Sequence, residues 1–288
     1  MILHTFRYPR REATSQKNSE TSPATGRPKL LFLHGMGGNG SLWRPVAAAL
    51  DDDADILAPD QRGHGGSLPP ASETGYSPLD YAKDVAETCA AESFSPAWVV
   101  GHSMGVRTAC GYAKLSPGSV LGLILVDLGF SGLAGGGIGD ALKVFLKDLP
   151  NHFPTRAAAK EFLAVRCPDP AIAQYLLAVA RVHLKDGSIT FPFDQSALLK
   201  TIEDSRGVAV GPWMEEFARE TGKPVYILRG ERSEVYVRSD FEADQKRYAS
   251  LPNIHFLEMA GTGHGMPFEK RLDFVALIRK WVDLPAKT

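Results

Sequence analysis

Short apolar runs recur along the chain, each closed by glycine or aspartate. The segments KLLFLHG (29–35), ADILAPD (54–60), AWVVG (97–101), LGLILVD (121–127), KPVYILRG (223–230) and NIHFLEMAG (253–261) have the length and continuity of strands buried on both faces. Between them the apolar period changes to that of helices. SPLDYAKDVAETCAAE (77–92) reads as an amphipathic helix with Ser77 as N-cap and Pro78 in its first turn. SLWRPVAAAL (41–50) reads as another, capped by Asn39 or Ser41. MGVRTACGYAKL (104–115) joins two successive strand runs and must be helical if those strands are parallel neighbours. Further helices are expected near 236–249 and at 274–282.

Strand alternating with helix predicts an α/β fold with a mostly parallel sheet and helices on both faces. From about 129 to 221 the rhythm breaks, because segments such as ALKVFLKDL and AIAQYLLAVARVHL carry helical periodicity with no buried strand between them. The expected organisation is therefore a core in two parts, 1–128 and 222–288, with a helical cap inserted at 129–221. The polar stretch from 10 to 27 is expected to be a loop or hairpin connection.

Composition narrows the partners. With 32 basic and 33 acidic side chains the formal net charge is −1, so no global field would attract nucleic acid or an anionic membrane, and a small neutral or weakly charged molecule fits better. Cys89, Cys110 and Cys167 are odd in number and lack metal-type spacing, which points away from a disulfide framework or zinc site. The opening MILHTFRYPRREATS has charges close behind its few apolar residues and does not read as a secretory signal. No run approaches the roughly 20 apolar residues of a membrane span, so a cytoplasmic location is expected.

The chemistry concentrates at GHSMG (101–105), directly after the 97–101 strand. A serine hydroxyl is a poor nucleophile until a base takes its proton, and it must protrude for a substrate to reach it. A sharp turn from strand to helix presents it, and such a turn needs small residues two places before and after, which Gly101 and Gly105 supply.

Four segments, in this order, resemble the α/β-hydrolase family: LHGMGG (33–38) its His-Gly-x-Gly loop, DQRGHGGS (60–67) its Asp-x-Arg-Gly-x-Gly-x-Ser loop, GHSMG its nucleophile elbow, and GTGHGMPFEKR (261–271) the loop of its catalytic histidine. The resemblance covers the chain from about 29 to 284. It implies the α/β-hydrolase fold, Ser103 as nucleophile, His264 as general base, and the backbone N–H groups of Met36 and Met104 as the oxyanion hole.

The acid has two candidates. The commonest family pattern, Gly-x-x-Asp after the 223–230 strand, is replaced here by Gly230-Glu231-Arg232-Ser233, with Glu234 one place late. Asp127 closes the 121–127 strand, a layout that resembles a subgroup of small esterases and acyl-thioesterases taking their acid from there. Asp127 is the first choice and Glu234 its rival.

His34, His64 and His102 each lie inside a motif and are read as orienting loops rather than binding a metal; Arg107, one turn beyond Ser103, is read as bracing a neighbouring loop. Leu142, Phe145, Phe153, Phe162, Tyr175 and Leu176 are expected to pack the cap, some of them lining the acyl pocket.

The resemblance implies hydrolysis of a small-molecule carboxylic ester or thioester through an acyl-enzyme, without cofactor or metal. Lactone opening, perhydrolysis and carbon–carbon bond hydrolysis use the same serine elbow, and a ligand-binding signalling protein with a retained triad is the reading from another class. Epoxide and haloalkane hydrolysis are disfavoured, because those members carry aspartate at the elbow.

Overall fold

All six apolar runs lie side by side in one sheet. The computed structural model describes residues 1–8, 26–68, 75–132 and 138–285; the polar stretch from 10 to 27 falls almost wholly outside them. The chain enters through Thr5–Tyr8 (β1) and continues with Lys29–Leu33 (β2), a 3₁₀ turn at Gly40–Trp43 running into Arg44–Ala47 (α1), and Asp55–Pro59 (β3). Pro78–Ala91 (α2), Ala97–His102 (β4), Met104–Leu115 (α3) and Val120–Val126 (β5) follow. Next come Ile138–Asp148 (α4), Arg156–Arg166 (α5), Pro170–Val179 (α6), the two-residue strands Arg181–Val182 (β6) and Ile189–Thr190 (β7), Gln195–Asp204 (α7) and Gly211–Thr221 (α8). Val225–Gly230 (β8), Arg238–Arg247 (α9), Ile254–Met259 (β9), Met266–Glu269 (α10) and Arg271–Trp281 (α11) close the chain.

The seven-stranded order is β1-β3-β2-β4-β5-β8-β9. Every neighbouring pair is parallel except β1 with β3, where Thr5 to Tyr8 run antiparallel to Ile56 to Pro59. β1 is not foreseen by the apolar pattern, because it is a four-residue strand with three half-buried residues and an exposed Arg7. The strand side chains divide cleanly between two cores. Leu31, Leu33, Val99, Leu123, Leu125 and Ile227 pack with α2, α3, α8 and α9. Leu30, Phe32, Val100, Ile124, Val126 and Leu228 pack with α1 and α11. A strand whose successive side chains both meet apolar layers must be apolar throughout, which is why the runs lack polar alternation.

Local chemistry sets several boundaries. Ser77 and Asp80 form a reciprocal capping box at the start of α2. Asn39 accepts from Ser41 N at the 3₁₀ turn, whereas the single helix expected over 41–50 is divided between that turn and the four-residue α1.

The segment 129–221 does not pack as one unit. Phe145, Leu149, Phe153, Leu163, Leu176, Leu198 and Ile202, from α4 to α7 and the loop before α5, form a third apolar core of their own. Helix α8, placed in the cap by its sequence position, instead buries Met214 and Phe217 in the core shared with α3. Among the described residues no helix is long and apolar enough to cross a membrane.

Candidate functional site

The C-terminal ends of β4, β5 and β8 meet at one point beneath α4, α6 and α7, and the candidate side chains gather there. Ser103 follows β4 directly with φ 54° and ψ −122°, a backbone conformation that L-residues rarely adopt. The crowding behind it is backbone on backbone. A Cβ on Gly101 would lie 2.3 Å from the Gly105 carbonyl oxygen, and one on Gly105 2.3 Å from that of Leu33. Only glycine at both places allows β4 to turn into α3 in so little space. The turn is held by Ser103 N donating to Val126 O at 2.9 Å.

His264, in the loop after β9, places Nε2 3.1 Å from Ser103 Oγ and Nδ1 2.7 Å from Asp127 Oδ2. Asp127 is fully buried and sits just past β5, where its N–H donates to Leu228 O at 2.8 Å. Its Oδ1 accepts from Gly230 N at 2.8 Å, and its Oδ2 also accepts from the Ser233 hydroxyl. Since the carboxylate only accepts, His264 donates from Nδ1 and leaves Nε2 free to receive the serine proton. Glu234 is exposed and does not join this chain of contacts.

The sequence marks Ser233 only as the end of a departure from the usual acid loop at Gly230-Glu231-Arg232-Ser233. It stands where the family's usual acid would stand, and its hydroxyl donates to the Asp127 carboxylate just past β5. Buried Arg229 fixes this loop by donating to the carbonyls of Glu231, Ser233 and Tyr236.

The two backbone groups expected to form the oxyanion hole flank Ser103. Met104 N is at the first position of α3, where helical N–H groups lack internal acceptors. Met36 N lies in the loop after β2. Neither donates to a protein acceptor among the described residues.

The three motif histidines have structural partners. His34 donates from Nδ1 to Gly35 O at 2.8 Å while Nε2 accepts from Gln61 N at 2.9 Å. His64 donates from Nδ1 to Arg62 O at 2.8 Å while Nε2 accepts from Gly37 N at 3.0 Å. His102 donates from Nε2 to His264 O at 2.8 Å. Burial pushes His34 down to about 4, and His64 and His102 to about 3, so all three are neutral struts at neutral pH.

These shifts predict acid sensitivity. The unfolded chain takes up three protons near pH 6.5 that the fold refuses until pH 4 or below, so stability is complete above pH 6.5 and falls as pH drops. Urea unfolding at pH 7 and pH 5 should differ by on the order of 5 kcal/mol. Equal stabilities at the two pH values would contradict three buried neutral imidazoles.

A cleft runs past Ser103 in two lobes that share Met36, Leu142, Ile172 and His264. The first is walled by Phe145, Leu146, Ala171, Tyr175, Leu176 and Leu198. The second adds Met104, Leu128, Ile138, Ile202 and Val235, with Thr201, Ser205 and Arg107 also on its lining. Of the six cap residues expected to pack or line, Leu142, Phe145, Tyr175 and Leu176 face the cleft. Phe153 and Phe162 contact each other within the third core, with ring centroids 5.4 Å apart.

Arg107 points to the base of the cap and donates to the carbonyls of Ser131, Ser205 and Val208. Among the described residues no carboxylate pairs with it, and burial lowers its pKa to about 10.

Comparison with known proteins agrees with this architecture. A family model described as alpha/beta hydrolase fold matches residues 28–270. The chain is 32% identical over 228 residues to 2-(acetamidomethylene)succinate hydrolase of Mesorhizobium japonicum, covering 79% of each chain. The crystal structure of an E-2-(acetamidomethylene)succinate hydrolase superposes with a TM-score of 0.74 at 28% identity, covering 90% of this chain and 92% of the other. A marine microorganism esterase shares the fold with a TM-score of 0.74 at 20% identity, covering 97% and 99%.

Proposed function

Because the chain belongs to the α/β-hydrolase fold family, and is by that kinship a hydrolase, we propose that it cleaves a carboxylic ester or thioester of a small or slender acyl group through an acyl-enzyme on Ser103. The observation that carries this reading is the unbroken contact chain from Asp127 through His264 to Ser103, beside two backbone N–H groups that have no protein acceptor among the described residues. His264 takes the Ser103 proton as Oγ attacks the carbonyl. Met36 N and Met104 N receive the negative charge that develops on the carbonyl oxygen. Asp127 balances the imidazolium, which then protonates the departing alcohol or thiol. Water activated by the same histidine releases the acid and restores Ser103.

Helices α4 to α7 serve as the cap. Both lobes of the cleft beneath them are mainly apolar, which suits a slender acyl chain in one and a small uncharged leaving group in the other. A second reading, hydrolysis of a small N-acyl amide on the same residues, draws on the relative named for an acetamido-substituted succinate.

The test is a panel of nitrophenyl esters, acyl thioesters, N-acetyl amides and lactones of increasing chain length, together with fluorophosphonate labelling read by mass spectrometry. A labelled Ser103 and a kcat/KM that peaks at short acyl chains are expected. Hydrolysis of none of these classes, with an unlabelled Ser103, would overturn the proposal.

A further inference from the structure

We propose that Tyr175, carried on cap helix α6, is a positioning residue for the oxyanion donor at Met36. The inference rests on the serine-hydrolase reading above and extends it to a side chain whose hydroxyl bonds the Gly35 carbonyl rather than the nucleophile or its base.

The peptide that joins Gly35 to Met36 is planar and trans, so its carbonyl and its N–H point in opposite directions. Whatever holds the Gly35 oxygen therefore aims the Met36 N–H. Three donors hold it: His34 Nδ1 at 2.8 Å, Gly38 N at 3.1 Å and the Tyr175 hydroxyl at 3.1 Å. The first two belong to the same loop and move with it. The third comes from the cap, 140 residues away in sequence.

The loop is shaped to admit this hydroxyl. A Cβ on Gly38 would lie 2.0 Å from the Tyr175 oxygen, and one on Gly35 3.4 Å from it. The ring is clamped as well, with centroids 6.0 Å from His102 and 5.9 Å from Phe268, and Leu42 and Val179 alongside; only 9% of the residue is exposed. A fixed ring fixes the position of the phenol oxygen, and the hydroxyl proton turns to the Gly35 carbonyl. Burial raises its pKa, so it remains a neutral donor throughout the working range.

Hydrogen bonds to an amide oxygen also polarise the amide, and its N–H becomes a better donor. The Tyr175 bond thus orients the Met36 N–H and strengthens it. That gain matters most when charge builds on the substrate oxygen, in the transition state rather than in the bound substrate.

Tyr175→Phe keeps the ring and removes only the bond. Losing an oxyanion donor outright costs about 10²–10³ in rate; weakening one should cost less, roughly tenfold in kcat, with KM little changed. A trifluoromethyl ketone matched to the best acyl chain forms a tetrahedral adduct on serine, and its Ki should rise by the same factor. The melting temperature, measured beside the kinetics, separates a lost bond from a loosened cap.

A tenfold loss shared by kcat and the ketone, with melting and KM nearly unchanged, supports the proposal. Equal kcat and Ki in both proteins would overturn it and leave the serine mechanism standing. A raised KM or lowered melting temperature without the shared loss would likewise overturn it, since Tyr175 would then act only in packing. If the ketone and Ser103→Ala leave wild-type turnover untouched, the mechanism and this inference fail together.

Discussion

Ser103→Ala is expected to reduce kcat by about 10⁶-fold toward the best ester, to the level left by binding and the oxyanion donors alone. The size follows from the way the three side chains act as one unit. Without Oγ there is no atom for His264 Nε2 to deprotonate, and the attack must come from a water that nothing in the contact chain positions. The substitution should leave the fold intact, because alanine meets the same backbone requirement without adding atoms to the crowded turn. Steady-state kinetics with labelling of both proteins measures it. A variant that retains more than a few per cent of activity would show that the reaction runs elsewhere.

Asp127→Asn is expected to cost about 10⁴ in kcat, with Glu234→Gln staying within about twofold. The loss comes from a forced tautomer as much as from a lost charge. Oδ1 of Asp127 accepts from Gly230 N, which cannot do anything but donate. Asparagine would therefore keep its oxygen on that side and turn its amide nitrogen toward His264 and Ser233. An amide N–H facing His264 Nδ1 requires that nitrogen to be bare, which moves the ring proton to Nε2, toward Ser103 Oγ. The base then holds a proton where it should accept one. If Glu234→Gln were the crippled variant and Asp127→Asn the mild one, the acid would have been misassigned.

The parts of the site fixed by local backbone demands are legible in the sequence. Gly101 and Gly105 answer to clashes within a few residues of Ser103, so their spacing alone marks the turn. Asp127 is legible as the last residue of an apolar run, since the ends of parallel strands gather on one edge. Ser233 is visible only as a departure from a pattern. Its bond to Asp127 joins residues 106 apart, and only the assembled sheet brings them together.

Helical periodicity marks which face of a segment is apolar but not what that face meets. Phe153 and Phe162 are therefore indistinguishable in sequence from Leu142 and Phe145, although the first pair packs within the cap and the second lines the cleft. Helix α8 is hidden for the same reason, since Met214 and Phe217 have the spacing of a cap helix and the burial of a core one. Strand β1 escapes notice because its side chains are only partly buried, which relieves it of the need to be uniformly apolar.

Arg107 has a bearing on traffic. The carbonyls it gathers belong to the two stretches where the chain leaves the sheet layer and returns, and the helix bearing the guanidinium begins directly after Ser103. Swinging the roof away as one rigid door would strand a desolvated cation and several carbonyls at once, at a cost of several kcal/mol. A movement that exposes Ser103 while both footings stay moored therefore costs less than one that lifts the roof whole.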